Sequence, residues 1–158
     1  MSSDDAVATS RNVDNALAFI DAMVHDDQAA AATLIGSTFS IANHAQGYVA
    51  STVDELIEAA NGVASWTDKV FELRRVIESA DGTAVVVQGR LSNTHTGGSW
   101  RGLKPTGVRV ALDACYVVNF DTEGRIVSQD IYEDHLTVLE QIGAVQLVDQ
   151  HEPDTLPT

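Results

Sequence analysis

The side chains best suited to chemistry in this sequence are carboxylates and histidines, and several are spaced so that they can meet. Residues 107–120 and 125–134 are alternating runs rich in β-branched residues, joined by Asp121-Thr122-Glu123-Gly124. That is the pattern of a hairpin. If the loop pairs Phe120 with Arg125, then Cys115 falls opposite Asp130, Asp113 opposite Tyr132 and Ala111 opposite Asp134. Strand side chains alternate between faces, so Asp113, Asp130, Tyr132 and Asp134 share one face, which Ile126 and Ser128 begin. Val127, Gln129, Ile131 and Glu133 form the other. Carboxyls this close repel, and in a buried setting at least one takes a raised pKa. A carboxylate base beside a protonated acid suits proton transfer to and from a carbonyl compound. The same pattern also fits a solvated acidic face, and a bulge in the hairpin would exchange the two faces.

His95, in Asn93-Thr94-His95-Thr96-Gly97 at a strand end, reads from its position as a hydrogen-bonded structural residue, with a functional role as the alternative. Asp130, Asp134 and His95 are the groups in these segments that could move a proton, and the catalytic role given to them rests on the family resemblance set out below. His44, Tyr48, Trp66, Asp113 and Tyr132 are the candidates to line a ligand cavity. No two of the five histidines stand at HxH or HxxxH spacing and there is no CxxC, which argues against a structural zinc. The glycine-rich Gly97-Gly98-Ser99-Trp100-Arg101-Gly102 lacks the Lys-Ser/Thr of a phosphate-binding loop and reads as a plain loop.

The elements that must position these groups follow from periodicity. Residues 14–25 place Ala16, Leu17, Phe19, Ile20, Met23 and Val24 on one helical face. Asp26 and Asp27 break that helix and cap an alanine-rich one over 28–35, which Gly36 ends. Residues 38–43 alternate as a strand. Thr52 and Glu55 form a capping box for a helix through Leu56, Ile57, Ala60 and Val63. Strands follow over 70–79, 83–94, 107–120 and 125–134, then a closing helix over 135–142 with Gly143 as its stop. Helices first and a long antiparallel meander after them make an α+β protein. The helices should cover the concave side of a curled sheet and leave a cavity, while the convex side can pair with another subunit. One domain is expected over residues 11–148, with residues 1–10 disordered and 149–158 a flexible tail.

Composition bounds the partners. The chain has 158 residues, with 9 Lys and Arg against 23 Asp and Glu and a net charge of −14. That excludes the basic patch a nucleic-acid binder needs and disfavours anionic membrane surfaces. A single thiol, Cys115, excludes an intrachain disulfide, agrees with a reducing compartment and sits in an apolar run as a buried structural cysteine. No leader-like segment and no bilayer-length apolar run is evident, so the protein is expected to be soluble and cytoplasmic.

A family pattern runs through these pieces. Thr94-His95-Thr96-Gly97, Pro105-Thr106-Gly107, Gly124-Arg125-Ile126-Val127, Asp134 and Leu139-Glu140-Gln141-Ile142-Gly143 occur in an order that resembles the SnoaL-like polyketide cyclases of the nuclear transport factor 2-like (NTF2-like) superfamily. Trp66-Thr67-Asp68 and His44 before Gly47 fit the same pattern. The resemblance implies a conical α+β barrel, a homodimer packed through its sheet, and an apolar cavity for a small hydrophobic substrate. It also implies cofactor-independent, metal-free acid–base chemistry that closes a ring by an intramolecular aldol step. Asp134 matches the family's acid at the end of the last strand, and His95 matches the histidine of its THTG motif. Asp130 departs from the family, which often has Trp there. Epoxide opening, isomerisation and ligand binding without chemistry are the alternatives found in the superfamily; fold alone does not choose among them.

Overall fold

The computed structural model describes residues 10–52, 54–55 and 65–146. Ser10 opens the first helix, α1 (Arg11–Val24), its hydroxyl accepting from the Val13 N–H. The helix buries Val13, Ala16, Phe19 and Ile20, the inward stripe of its 3.6-residue repeat. Asp26 then turns the chain in the left-handed region at φ 58°. Asp27 caps α2 (Gln28–Leu34) by accepting from Ala30 N–H. Gly36 does not stop that helix: the chain is already extended at Ile35, where β1 (Ile35–Asn43) begins.

The remaining elements are β2 (Tyr48–Ala50), β3 (Trp66–Glu78), β4 (Ala84–His95), β5 (Arg109–Phe120), β6 (Ile126–Glu133) and α3 (His135–Gln141). The capping box at Thr52 forms, with the Thr52 hydroxyl accepting from Glu55 N–H and the Glu55 carboxylate reaching back to Ser51 N–H. The helix expected beyond it lies almost wholly outside the described residues, as do residues 1–9 and the tail from 147. No described helix is long and apolar enough to cross a membrane.

The six strands form one sheet in the order β2-β1-β6-β5-β4-β3, and the three described helices pack with it in an α+β fold. The sheet is mixed, not purely antiparallel, because β1 runs parallel to β6. Strand polarity cannot be read from alternation, and β1 reaches its neighbour only after the rest of the chain has returned. The inner face carries Val85 and Val87 of β4 and Leu112, Ala114, Tyr116, Val118 and Phe120 of β5, all buried. The core there joins α1 through Ala16, Phe19 and Ile20. Gly89 also faces inward, and the Phe71 ring lies across it to reach Tyr116, 5.5 Å between centroids.

The β5–β6 hairpin corrects the expected register. Cys115 pairs with Tyr132, Val117 with Asp130 and Asn119 with Ser128, two residues away from the sequence-based pairing. A displacement of two keeps the alternation, so Asp113, Asp130 and Tyr132 do share a face. Between Ser128 and Ile126 the pairing slips, and this bulge turns Ile126 to the inside, where it is fully buried. The shared acid face is the outer face. Alternate positions of β5 offer the core Leu112, Tyr116, Val118 and Phe120. Burying that apolar surface stabilises the fold, while burying carboxyls in its place would carry a large desolvation cost.

Candidate active site

Between α1, the inner face of the sheet and α3 lies a cavity of about 440 Å³. Its apolar wall is built from Ile20, Met23, Val24, Trp66, Leu91, Trp100, Leu112, Ile131 and Val138. Its polar wall includes Asn43, Gln46, Tyr48, Lys69, Asn93, Arg101, Tyr116, Gln129, Glu133 and His135. Apolar lining with a few convergent polar groups is the usual form of a small-molecule site.

Glu133 organises the polar side. It is the last residue of β6, on the face opposite Asp130, and its side chain is 13% exposed. One carboxylate oxygen, Oε2, lies 3.0 Å from His135 Nε2 and accepts from Asn43 Nδ2 at 3.4 Å. The other, Oε1, accepts from the Tyr116 hydroxyl at 3.3 Å. Arg101 Nη2 lies 3.1 Å from His135 Nδ1 and also donates to the Ala45 carbonyl at 2.7 Å. An arginine can only donate, so His135 Nδ1 is the acceptor and Nε2–H donates to Glu133. Burial, with the Glu133 charge beside it, pushes the Tyr116 phenol well above the usual range, so it stays protonated and donating.

Local sequence explains this convergence. Glu133-Asp134-His135 spans the junction of β6 and α3, so a strand residue and the first helical residue point to the same space. Arg101 takes a left-handed φ of 50°, next to Gly102 at 78°. That turn carries the guanidinium past the Trp100 ring, 5.3 Å from its centroid, to the cavity mouth. An aromatic file crosses the wall: Trp66 stands 5.3 Å from Trp100, and Trp100 5.4 Å from His135.

The sequence-predicted residues divide. Tyr48 and Trp66 line the cavity. His95 is fully buried behind Trp66, stacked on it at 4.7 Å, with Nδ1 3.3 Å from the Thr106 hydroxyl and no partner at Nε2. It backs the wall and does not line it. Asp130 is on the outer face, 2.8 Å from His44 Nε2, and His44 stacks flat on Tyr132 at 4.5 Å. Asp113 is exposed between Arg74 and Arg90, at 3.1 and 3.2 Å. Cys115, on the same outer face, is half-buried and free. Asp134 is exposed and caps α3 by accepting from Thr137 N–H and the Thr137 hydroxyl. The expected group of cavity carboxyls is therefore not assembled; among the described residues the cavity wall carries one carboxyl, Glu133.

Asp134 as a cap makes a prediction. Asp134→Ala should lower stability by about 1 kcal/mol, a fall in Tm of roughly 2–4 °C, with Asp134→Asn close to wild type. The Thr137 hydroxyl, then its backbone N–H, hold the Asp134 carboxyl below its ordinary pKa. Its stabilisation is complete above the ordinary carboxylate range and is lost as pH falls through the lowered value. The Tm gap between wild type and Asp134→Ala should therefore narrow on acidification below about pH 4.

Glu133, His135, Tyr116, Asn43 and Arg101 were not singled out by the sequence pattern. One signal was available: Glu133 heads the hairpin face opposite the acids, next to a histidine. Among the described residues no group of three or more His, Cys, Asp or Glu is placed to hold a metal ion.

Helices packed on a six-stranded sheet around a largely apolar cavity make an NTF2-like α+β fold. The SnoaL-like polyketide cyclase family model matches residues 4–142, and the chain belongs to that family. Its fold is shared with a protein of Jannaschia sp. CCS1 described as a SnoaL-like polyketide cyclase, at TM-score 0.76 and 19% identity over 92% of this chain and 100% of that one. It is also shared with AclR of Streptomyces galilaeus, described as a hydroxylase, at 0.73 and 17% over 90% and 87%. IdmH of Streptomyces antibioticus, described as a polyketide cyclase, aligns at 0.70 and 18% over 85% and 99%. No protein of curated function matches the chain in sequence.

Proposed function

We propose that this protein is a cyclase that closes a ring on a small hydrophobic polyketide-like carbonyl compound by acid–base chemistry, with Glu133 as the proton-transfer group. The observation that carries this reading is a nearly buried carboxylate, oriented by His135, Asn43 and Tyr116, in the wall of an apolar cavity. Glu133 takes a proton from a carbon next to a carbonyl. The resulting enolate carbon attacks a second carbonyl of the same molecule, the new C–C bond closes the ring, and the electron pair of that carbonyl moves to its oxygen. Glu133, now a carboxylic acid, returns the proton to that oxygen. Arg101 brings positive charge to the mouth, where it favours the developing oxyanion. Trp66 and Trp100 hold the substrate folded, which supplies the proximity that a ring closure needs.

Epoxide opening around an arginine between two acids has less support, because the described wall offers Glu133 without a second carboxyl. The proposed assembly is a homodimer paired through the outer sheet face, where Ile77 and Tyr132 are exposed.

The test is conversion of synthetic aryl poly-β-ketone esters to cyclic aldol products, followed by chromatography and NMR against a buffer control. Acceleration that Glu133→Gln abolishes supports the cyclase. Tight binding of several such esters with no acceleration of any would reduce the protein to a ligand carrier.

A further inference from the structure

Lys69 is the feature of the cavity that the proton-transfer scheme leaves unused. It belongs to β3 where pairing with β4 slips between Thr67 and Val70, and Asp68 before it takes a left-handed φ of 51°. This irregularity turns the lysine inward while Val70 stays exposed, and Arg109 pins it by donating to the Asp68 carbonyl. The Lys69 side chain is only 7% exposed and lines the cavity. Its ammonium holds both oxygens of Asp26 at 2.6 and 2.7 Å, and Asp26 itself is 49% exposed at the turn between α1 and α2.

A lysine serving only as a strap between that turn and β3 gains nothing from burial: surface pairs hold as well without desolvating the ammonium. Burial inside a binding cavity has a use when a ligand brings its own negative charge. The chain's net charge of −14 repels an anionic ligand, so a cation at the destination has to offset that field. Arg101, the other cation of the wall, bonds the Ala45 carbonyl and His135 through Nη2 at the mouth, which leaves Lys69 as the buried ammonium of the wall. An ammonium has three N–H donors, and Asp26 takes two directions from the solvent side.

We infer that the cavity takes a hydrophobic acid, whose flat body lies against Trp66 and Trp100 and whose ionised oxygen, a carboxylate or an acidic enolate, is received by Lys69. This deepens the proposed function and rests on its reading of the cavity as the ligand site. The ligand anion shares the ammonium with Asp26, so Asp26 tunes the affinity from outside.

The test uses two naphthylamine dyes that differ in charge: anionic 1-anilinonaphthalene-8-sulfonate and its uncharged analogue N-phenyl-1-naphthylamine. Wild type should prefer the sulfonate. Lys69→Met should weaken the sulfonate about tenfold, the size of one charge-assisted hydrogen bond, and leave the neutral dye within twofold. Asp26→Asn should strengthen the sulfonate alone. A sulfonate-to-neutral ratio unchanged in folded Lys69→Met overturns the inference and leaves the cavity reading standing. If Lys69→Met does not fold, an unchanged ratio in Asp26→Asn overturns it. If neither dye binds wild type, both the inference and the cavity reading fall.

Discussion

Glu133→Gln is expected to lower kcat by about 10²–10⁴-fold, the range that a positioned general base contributes, with KM close to wild type. The change keeps the size of the side chain but removes the charge and the base. It also puts an amide where His135 now donates. If the new NH₂ group faces His135, Nε2 must become the acceptor, and the proton moves to Nδ1, against the Arg101 guanidinium 3.1 Å away. The variant should therefore show a second effect: a His135 ring that changes tautomer or turns away from Arg101, visible in the ¹⁵N shifts of its ring nitrogens. Tyr116→Phe removes one donor to the carboxylate and should reduce kcat far less. A wild-type rate in folded Glu133→Gln would remove Glu133 as the base and return attention to groups outside the cavity.

Gly89→Ala should produce the largest loss of stability of any single-methyl addition in the sheet. A Cβ at Gly89 would stand 2.6 Å from the Glu72 carbonyl oxygen and inside the ring of Phe71. The carbonyl belongs to the neighbouring strand and cannot swing aside, so β3 must move or Phe71 must leave. Overpacking of this kind costs about 3 kcal/mol, a fall in Tm of roughly 6–12 °C for a chain of this size. The damage should reach the site as well. Phe71 crosses Gly89 to pack on Tyr116, and the Tyr116 hydroxyl is one of the donors on Glu133. Reduced turnover in Gly89→Ala at a temperature where it remains folded is the expected sign of that link. Unchanged Tm and turnover would show that Phe71 has room to move.

Much of the fold was legible in the sequence because its signals are local. The α1 stripe of Ala16, Phe19 and Ile20, the Asp27 cap, the Thr52–Glu55 capping box and the Gly124 turn each depend on residues within a few positions. Even the grouping of Asp113, Asp130 and Tyr132 on one face survived a two-residue error in register, since alternation has period two. What alternation cannot say is which face the helices cover. That was decided by Tyr116, Val118 and Phe120 joining the core of α1, and Leu112 that of Val138 in α3, contacts between distant parts of the chain. The candidate site follows the covered face, which carries Glu133 and leaves Asp130 on the outer one. Arg101 was hidden for a different reason: a loop residue with positive φ has no periodicity to betray its direction. Lys69 was hidden in the same way, by the irregularity that turns β3 at Asp68.

Trp66 and Trp100 are the chain's two tryptophans, and both stand in the cavity wall. All of the indole emission of this protein therefore originates where a ligand would sit. A conjugated substrate absorbing in the near ultraviolet would quench that emission by excited-state energy transfer, with no label attached and no background from tryptophans elsewhere. Compound libraries can be screened against the unmodified chain by its own light, before any product is known.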